Sequence, residues 1–364
     1  MSRIVVAALV AVAAAPAGLA VRAAPRASFA GCGAVIAGRD PDWSRANGRI
    51  VYVRGRKRFS LWTMRADGSS LRRLTRDRGT RLRGPRWFPD GKQVLVADYD
   101  NRWIQRFPAD GSQGRFVSTG IAAAPAPDGA RVVVARGGLY VVAIAGSRTR
   151  QIAAEGEPEL AAPDWSPDGS TVVFVGDLPV NHQRALELVR ADGSGLHALD
   201  PAADRGESHA DGLDPRWSRD GTRIVYTLVL PDRAQQIHVV RSNGQGDRIV
   251  VSDGADDTDA AWSPDGSRLV YVRGGRADSP GALWIVDADG RGRHPIAPGC
   301  VFGTGRADTL RARGARPIYG LEGNDRVLAR DGRRETIVCG SGRDSVVADR
   351  TDRAARDCER VTRL

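Results

Sequence analysis

The segment Asp164-Trp165-Ser166-Pro167-Asp168-Gly169 decides the fold, because the chain returns to it again and again. Further copies, some of them looser and one lacking the tryptophan, end at Asn47-Gly48, Asp90-Gly91, Asp128-Gly129, Asp220-Gly221 and Asp265-Gly266. The six turns are therefore 43, 38, 40, 52 and 45 residues apart. Repetition at this period is typical of arrays and β-propellers.

Each copy is followed by two short apolar runs and then by a second Asp-Gly-like turn. In the fourth copy the runs are Thr171–Val175 and Leu186–Val189, and the turn is Asp192-Gly193. Such dipeptides form hairpin turns because they tolerate positive φ. With the strand that carries the tryptophan, each repeat supplies four strands, which make one propeller blade. We therefore predict an all-β fold, a six-bladed β-propeller of four-stranded antiparallel blades.

These repeats resemble those of TolB-type β-propellers, which are relatives of the WD-repeat group. The resemblance covers residues 40–299, which we predict to be the propeller domain. It implies the fold and leaves function open, because propellers serve in binding, lyase and scaffolding roles alike.

The N-terminus has the features of a secretory signal. Arg3 precedes an apolar run from Ile4 to Ala15, and small residues follow it. We predict a signal peptide at residues 1–24, a linker at 25–39, and a protein that is secreted or held in the cell envelope. The apolar run is shorter than the roughly 20 residues of a membrane span, and no other segment qualifies as one.

Export makes disulfide bonds plausible. The four cysteines allow three pairings. Cys32 precedes the first repeat and Cys300 follows the last, while Cys339 and Cys358 lie together in the tail. These positions favour the pairs 32–300 and 339–358.

Residues 300–364 have a period of their own. Three segments, 303–310, 320–327 and 339–346, resemble degenerate RTX-type nonapeptides. Apolar residues recur through the tail at regular spacing, at Leu310, Ile318, Val327, Ile337 and Val346. We predict a small β-solenoid, or β-roll-like, module. The resemblance implies calcium ligands at Asp308, Asp325 and Asp344, and calcium is the one cofactor that it suggests. Arg316 and Glu335 depart from the pattern on the other side, so we expect calcium binding to be weak or absent.

The net charge of +11 comes from arginines scattered through every repeat. A specific nucleic-acid groove would need a basic stripe with interleaved aromatic residues, and the sequence has none. The charge is consistent with nonspecific attraction of acidic polymers.

The longest connections between strands fall on one face of the predicted propeller, at residues 176–185, 201–213, 229–236, 254–259 and 274–281. Binding residues concentrate in loops held by a rigid scaffold. The candidate ligand-binding residues on this long-loop face are His182, Asp204, Glu207, His209, Asp211, Asp256 and Asp257. Clustered carboxylates with histidine could hold a cation. The alternative is that they are solvated turn residues.

Known catalytic signatures are missing: the sequence has no Gly-x-Ser-x-Gly, no His-Glu-x-x-His and no Cys-x-x-Cys. We therefore expect a monomeric, non-enzymatic binding protein that holds a protein, a peptide or an envelope polysaccharide. The alternative is a metal-dependent, lyase-like carbohydrate-active enzyme with its site at the channel mouth. Only His182 and His209 could serve such a site.

Overall fold

The computed structural model describes residues 29–364 apart from 147, 154–161, 178–183, 200–210, 231, 233, 276–279 and 313. The described residues form β-strands, turns and loops, and none of them lies in a helix. Within these ranges no helix could therefore cross a membrane. The signal peptide predicted for residues 1–24 lies outside the described part of the chain.

Twenty-four strands follow the repeats. The first twelve are β1 (Ala37–Trp43), β2 (Arg49–Arg54), β3 (Ser60–Arg65), β4 (Arg72–Arg73), β5 (Leu82–Trp87), β6 (Gln93–Asp98), β7 (Trp103–Pro108), β8 (Arg115–Thr119), β9 (Ala122–Pro125), β10 (Arg131–Ala135), β11 (Leu139–Ala143) and β12 (Thr149–Ala153). The next twelve are β13 (Asp164–Trp165), β14 (Thr171–Asp177), β15 (Arg184–Arg190), β16 (His197–Leu199), β17 (Asp211–Trp217), β18 (Arg223–Val229), β19 (Gln235–Arg241), β20 (Arg248–Val251), β21 (Asp257–Trp262), β22 (Arg268–Arg273), β23 (Gly281–Asp287) and β24 (His294–Pro295).

Four blades are separate antiparallel sheets of four strands each, β5–β8, β9–β12, β13–β16 and β17–β20. The strands predicted for the first and sixth blades, β1–β4 and β21–β24, instead belong to one eight-stranded sheet. Six separate blades are therefore not observed. The first strands of the six groups nevertheless contact one another in a closed cycle, β1–β5–β9–β13–β17–β21–β1.

The two halves of the eight-stranded sheet meet at the start of β1. Ala37 and Gly38 pair with β23, and the rest of β1 pairs with β2. Just before β1, the Ile36 N–H donates to the Ile296 carbonyl at 2.9 Å, and the Ile36 carbonyl accepts from Leu283 N–H at 2.8 Å. The prediction that each repeat supplies its own four strands gives the N-terminal segment no place in the last blade, and the structure corrects this, because residues 36–38 bond to β23 and to Ile296.

The repeated motif forms the inner turn of each blade. In the fourth copy, the Asp168 carboxylate accepts from Ser166 Oγ at 2.6 Å and from Ser170 N–H at 3.0 Å, and Gly169 follows with φ of 70°. The hydrogen bond from Ser166, with those from Ser170, lowers the pKa of Asp168. The turn is thus specified by its own side chains, because positive φ favours glycine and the carboxylate caps the backbone.

The tryptophans of the motif pack between blades. Trp43, Trp87, Trp165, Trp217 and Trp262 are all buried. The guanidinium of the arginine after one turn lies over the tryptophan of the next repeat: Arg131 over Trp165, Arg223 over Trp262 and, across the joint, Arg268 over Trp43. These rings are therefore packing residues between neighbouring blades.

The C-terminal residues form a parallel β-solenoid of about four turns. One sheet contains β25 (Val301–Phe302), β27 (Ile318–Tyr319), β29 (Thr336–Val338) and β31 (Arg353–Ala354), and the other contains β26 (Thr309–Arg311), β28 (Arg326–Ala329), β30 (Ser345–Ala348) and β32 (Arg360–Arg363). Leu310, Val327 and Val346 stack in register on one side, and Ile318 stacks on Ile337 on the other. The predicted alternation of turns is confirmed.

Two disulfide bonds are present, Cys32–Cys300 and Cys339–Cys358, with Cα–Cα distances of 5.3 Å and 5.1 Å. Both predicted pairs are confirmed. The first lies beside the joint of the propeller, and the second joins two turns of the solenoid.

Candidate functional site

The centre of the ring contains a cavity of about 430 Å³. Most of its wall comes from the innermost strands β1, β5, β9, β17 and β21 and from residues 162–163 just before β13, and Thr227 of β18 and Gln235 of β19 also line it. A propeller brings these strands together only after the ring closes, so residues far apart in sequence become neighbours here.

Three aspartates from three repeats line this cavity: Asp40, Asp214 and Asp259. Each stands three residues before the motif tryptophan of its repeat, where β-bulges interrupt the pairing of β1, β17 and β21. Each has a left-handed backbone, with φ of 49°, 50° and 55°. The position is occupied by Gly84 in the second repeat, also with positive φ. Such strain in non-glycine residues is typical of functional positions.

The channel raises the pKa values of these carboxyl groups. Burial, reinforced by the charge of Asp259, raises the pKa of Asp40 to about 6. Burial and then Asp214 raise the pKa of Asp259 to about 7, and burial with the charge of Asp40 raises the pKa of Asp214. Near neutral pH the Asp259 carboxyl is therefore partly protonated, and it gains negative charge if a positively charged partner approaches.

Cationic and neutral donors line the same cavity. Arg39 and Arg83 lie on its wall, and Arg86, which is 5% exposed, lies deeper. In the part of the chain that the structure describes, Arg83 Nε, Arg86 Nε and Thr227 Oγ1 have no hydrogen-bond partner, and Thr227 is only 1% exposed. Buried donors are normally satisfied, so these atoms are available to a ligand.

A second layer of charged residues lies next to the tryptophans, around a smaller cavity of about 130 Å³. The carboxylates of Asp42 and Asp164 each accept the backbone N–H of a tryptophan in the next repeat, Trp87 and Trp217, both at 2.8 Å. Burial raises the pKa of Asp164 to about 6 and also raises that of Asp42. Arg45 donates across the ring to the Trp217 carbonyl at 3.1 Å. This layer ties blades together.

The predicted site residues are placed differently. His182, Asp204, Glu207 and His209 lie outside the described residues. Asp211 begins β17, and its side chain is not described. Asp256 is partly buried just before β21.

Asp257 is completely buried in β21, not in the exposed loop predicted at 254–259, because the strand begins earlier than expected. Burial, and then the neighbouring Asp253, raise the pKa of Asp257 to about 8. It cannot contact a ligand at the surface.

The histidines outside the loops have structural surroundings. His238 is 1% exposed and contacts Asp247 at 3.0 Å, whose carboxylate also accepts from the Tyr226 hydroxyl at 2.8 Å. His197 is exposed, as expected. The position of His294 in an outer fourth strand predicts exposure, but the residue is buried and its ring stacks on Phe302 at 4.5 Å. The solenoid, which packs on this edge, is the reason.

The solenoid carboxylates do not converge as calcium ligands would. Asp325 accepts the backbone N–H of Asp308 at 2.9 Å, and Asp344 accepts that of Asp325 at 2.8 Å. Within the described ranges, the single group of three potential metal ligands is Cys339, Asp357 and Cys358, whose two cysteines form a disulfide. The residues present do not fit a calcium site, although a second oxygen of Asp325 and of Asp344 is buried without a partner.

The residues that line the channel could have been found from the sequence, because they differ between repeats, although the prediction of the site considered only the long loops. The residues directly before the tryptophan differ between repeats, as in Asp40-Pro41-Asp42, Arg83-Gly84-Pro85-Arg86 and Asp214-Pro215-Arg216, whereas the Gly-terminated turn of the motif recurs in every copy. A position on an innermost strand that differs between repeats is not fixed by the fold of the blade, and this variation indicates a functional site in the channel.

Comparison with known proteins agrees with this architecture. A family model described as the TolB beta propeller domain matches residues 42–298. TolB from Acinetobacter baumannii is 17% identical, with a TM-score of 0.55 over 66% of this chain and 61% of that chain. A TolB-type protein from Agrobacterium tumefaciens is 21% identical, with a TM-score of 0.52 over 62% and 84%.

A gluconolactonase from Xanthomonas campestris is 16% identical, with a TM-score of 0.51 over 70% of this chain and 86% of that chain. At these identities the likeness concerns the fold alone. No curated protein sequence matches significantly.

Proposed function

Because the chain belongs to the TolB β-propeller family, we propose that it is an exported, non-enzymatic binding protein whose ligand enters the central channel. The family supports a binding or interaction role. Export is supported by the two disulfide bonds, which persist in oxidising compartments. For the ring, we propose that the two halves of the eight-stranded sheet act as the first and sixth of six blades around this channel.

The ligand that this channel suits best is a segment of peptide or protein. The observation that carries the proposal is the convergence of Asp40, Asp214 and Asp259 with unpaired donors of Arg83 and Thr227 around one cavity. Carboxylates receive amino or guanidinium groups, while arginine and hydroxyl donors receive peptide carbonyls. A peptide offers both kinds of group, which a uniformly anionic polymer does not.

The test uses the full-length protein and peptides selected from a displayed random library. Binding of the enriched peptides is then measured for a triple variant with Asp40→Asn, Asp214→Asn and Asp259→Asn. Asparagine also tolerates positive φ, so the backbone should be kept. The matched control replaces Asp67, Asp110 and Asp192 by Asn in the hairpin turns of the opposite face.

We expect the channel variant to bind at least about tenfold more weakly, since a charge-assisted hydrogen bond contributes about 1.5–3 kcal/mol. The control should retain its affinity. If the control loses binding while the channel variant keeps it, the ligand lies on the other face and the proposal is wrong.

A further inference from the structure

The surface of the solenoid is far more basic than its composition suggests. Residues 301–364 contain 14 arginines, no lysine and 10 acidic residues. All 13 arginines that the structure describes there are exposed, whereas only Asp331, Asp357 and Glu359 are exposed among the acidic residues. The positive charges of the segment therefore lie on its surface, whereas most of its acidic residues are buried or partly buried.

The fold explains this separation. Asp325, Asp344, Glu335 and Asp352 are at most 4% exposed. Asp325, Asp344 and Asp352 accept backbone N–H groups of the preceding turn, the last from Glu335 at 2.9 Å. The parallel stack thus uses carboxylates as internal acceptors.

Two of the three exposed acidic residues are engaged in the same way. Asp331 accepts the Gly314 N–H at 2.9 Å, and Asp357 accepts that of Gly340, also at 2.9 Å. Among the described residues of the segment, no arginine forms a salt bridge with a carboxylate. The arginines therefore lack internal counter-ions.

The register arranges some of these arginines in a row. Thr309, Arg326, Ser345 and Arg360 are aligned across β26, β28, β30 and β32. Their neighbours Leu310, Val327 and Val346 point into the core, so this row faces outward. Strands are about 4.8 Å apart, which places Arg326 and Arg360 about 10 Å from each other. Arg343 precedes β30 beside them and is exposed.

We infer that this outer surface of the solenoid binds an anionic polysaccharide. An extended polymer of carboxylate or sulfate groups supplies the negative charges that the solenoid arginines lack within the protein. The two disulfides are typical of proteins in an oxidising compartment outside the cytosol, which favours an envelope or extracellular polymer over intracellular nucleic acid.

Two other classes of partner suit the surface less well. The aromatic residues of the segment are Phe302 and Tyr319, and neither is exposed, so bases would find no stacking platform. The exposed large apolar residues are Val361 and Leu364 at the end of the chain, too few to anchor the protein in a bilayer surface.

The experiment measures binding of the full-length protein to alginate and to heparin, with EDTA present and neutral dextran as the blank. One variant carries Arg326→Gln, Arg343→Gln and Arg360→Gln. The control carries Arg56→Gln, Arg115→Gln and Arg148→Gln, three exposed propeller arginines, so both lose the same net charge. A third variant replaces the three solenoid arginines by Lys.

We expect the solenoid Gln variant to bind about tenfold more weakly, with a smaller dependence on salt, because fewer counter-ions are released on binding. The control and the Lys variant should stay within about twofold of the wild type, because both keep the solenoid charges that draw the polymer. Melting curves verify that each variant is folded. The channel variant with three Asp→Asn changes should keep its affinity for alginate, which separates this inference from the proposed function.

Equal losses in the solenoid variant and the control would show that only net charge matters and would overturn the inference. Absence of binding to both polysaccharides would do the same. Tighter binding to duplex DNA or to phosphatidylserine vesicles than to alginate would assign the surface to a different class of partner.

Discussion

At the scale of single residues, the buried carboxyl of Asp257 should make stability depend on pH. Its pKa in the folded protein is about 8, above the unfolded value of about 3.9. Between these values the folded state holds a proton that the unfolded state releases. The free energy of unfolding therefore falls as pH rises, by up to about 1.4 kcal/mol per pH unit, and the fall from this residue ends near pH 8.

Asp257→Asn replaces the ionisable carboxyl by an amide that does not titrate. The free energy of unfolding of the variant should therefore fall less steeply than that of the wild type as the pH rises from 7 to 8. That window lies above the pKa of about 6 for Asp40, and the titration of Asp259 and Glu335, each with a pKa of about 7, is common to both proteins and cancels in the comparison. Denaturant unfolding at several pH values measures the slope. Asp256→Asn, which removes the adjacent and partly exposed carboxyl, is the control and should keep the wild-type profile. Identical slopes for all three proteins would contradict the assignment.

Residues of the turn could be predicted from the sequence and residues of the channel could not, for a physical reason. Asp168 and Gly169 act within one turn, so every repeat needs the same solution and the pattern is visible. Asp40 and Asp259 are 219 residues apart and meet only when the ring closes. The burial of Asp257 depends on where β21 begins, which local composition does not fix.

At the scale of elements, the pairing of β1 with β23 depends on Gly38. A Cβ atom at this position would lie 2.4 Å from Tyr52 Cδ2, a buried ring. Gly38→Ala should therefore destabilise the protein by about 1–3 kcal/mol, the usual cost of overpacking. Gly79→Ala is the matched control, because a Cβ there meets nothing within 4 Å. Thermal melting measures both, and a Gly38 variant as stable as the control would show that the joint is loose.

The solenoid as an element should respond little to calcium. Its carboxylates already accept backbone N–H groups, and a metal would have to compete with bonds such as Asp344 to Asp325 N–H. We expect millimolar calcium to leave the melting temperature of the full-length protein unchanged relative to EDTA. Calorimetry with calcium gives a second reading. Micromolar calcium binding that is abolished by Asp308→Asn, Asp325→Asn and Asp344→Asn together would contradict this expectation. It would show that the hydrogen bonds between these carboxylates and the backbone break when calcium binds.

At the scale of the whole molecule, the repeats predicted the propeller architecture, but they did not predict how the first and last repeats join to close the ring. The period indicates blades, and the cysteine positions indicate which ends meet. Each repeat, however, appears complete by itself, so nothing in the pattern shows that Ile36 and Gly38 extend the last sheet. The joint is a property of the closed ring, and one hydrophobic cluster spans it, including Trp43, Ile50, Leu283 and Ile296.

The covalent bond beside this joint should hold the molecule together. Cys32 and Cys300 are 268 residues apart, so their bond constrains nearly the whole propeller in the unfolded state. In the chain-entropy model a loop of this length corresponds to about 5.6 kcal/mol. The bond also holds the N-terminal segment, where Phe29 packs edge-on against Trp284 of β23 and against Phe302 and Tyr319 of the solenoid.

Cys32→Ser and Cys300→Ser should therefore each lower the melting temperature of the oxidised protein by a similar amount, and the double variant should be no worse than either single one. Reductant should bring the wild type down to the level of the variants, since all then lack the same bond. Peptide mapping of the unreduced wild type verifies the pair. The Cys339→Ser, Cys358→Ser double variant removes a bond between residues only 19 apart. It should lower the melting temperature of the propeller less than Cys32→Ser or Cys300→Ser does. If that variant destabilises the propeller as much as Cys300→Ser does, the joint is not where the ring opens.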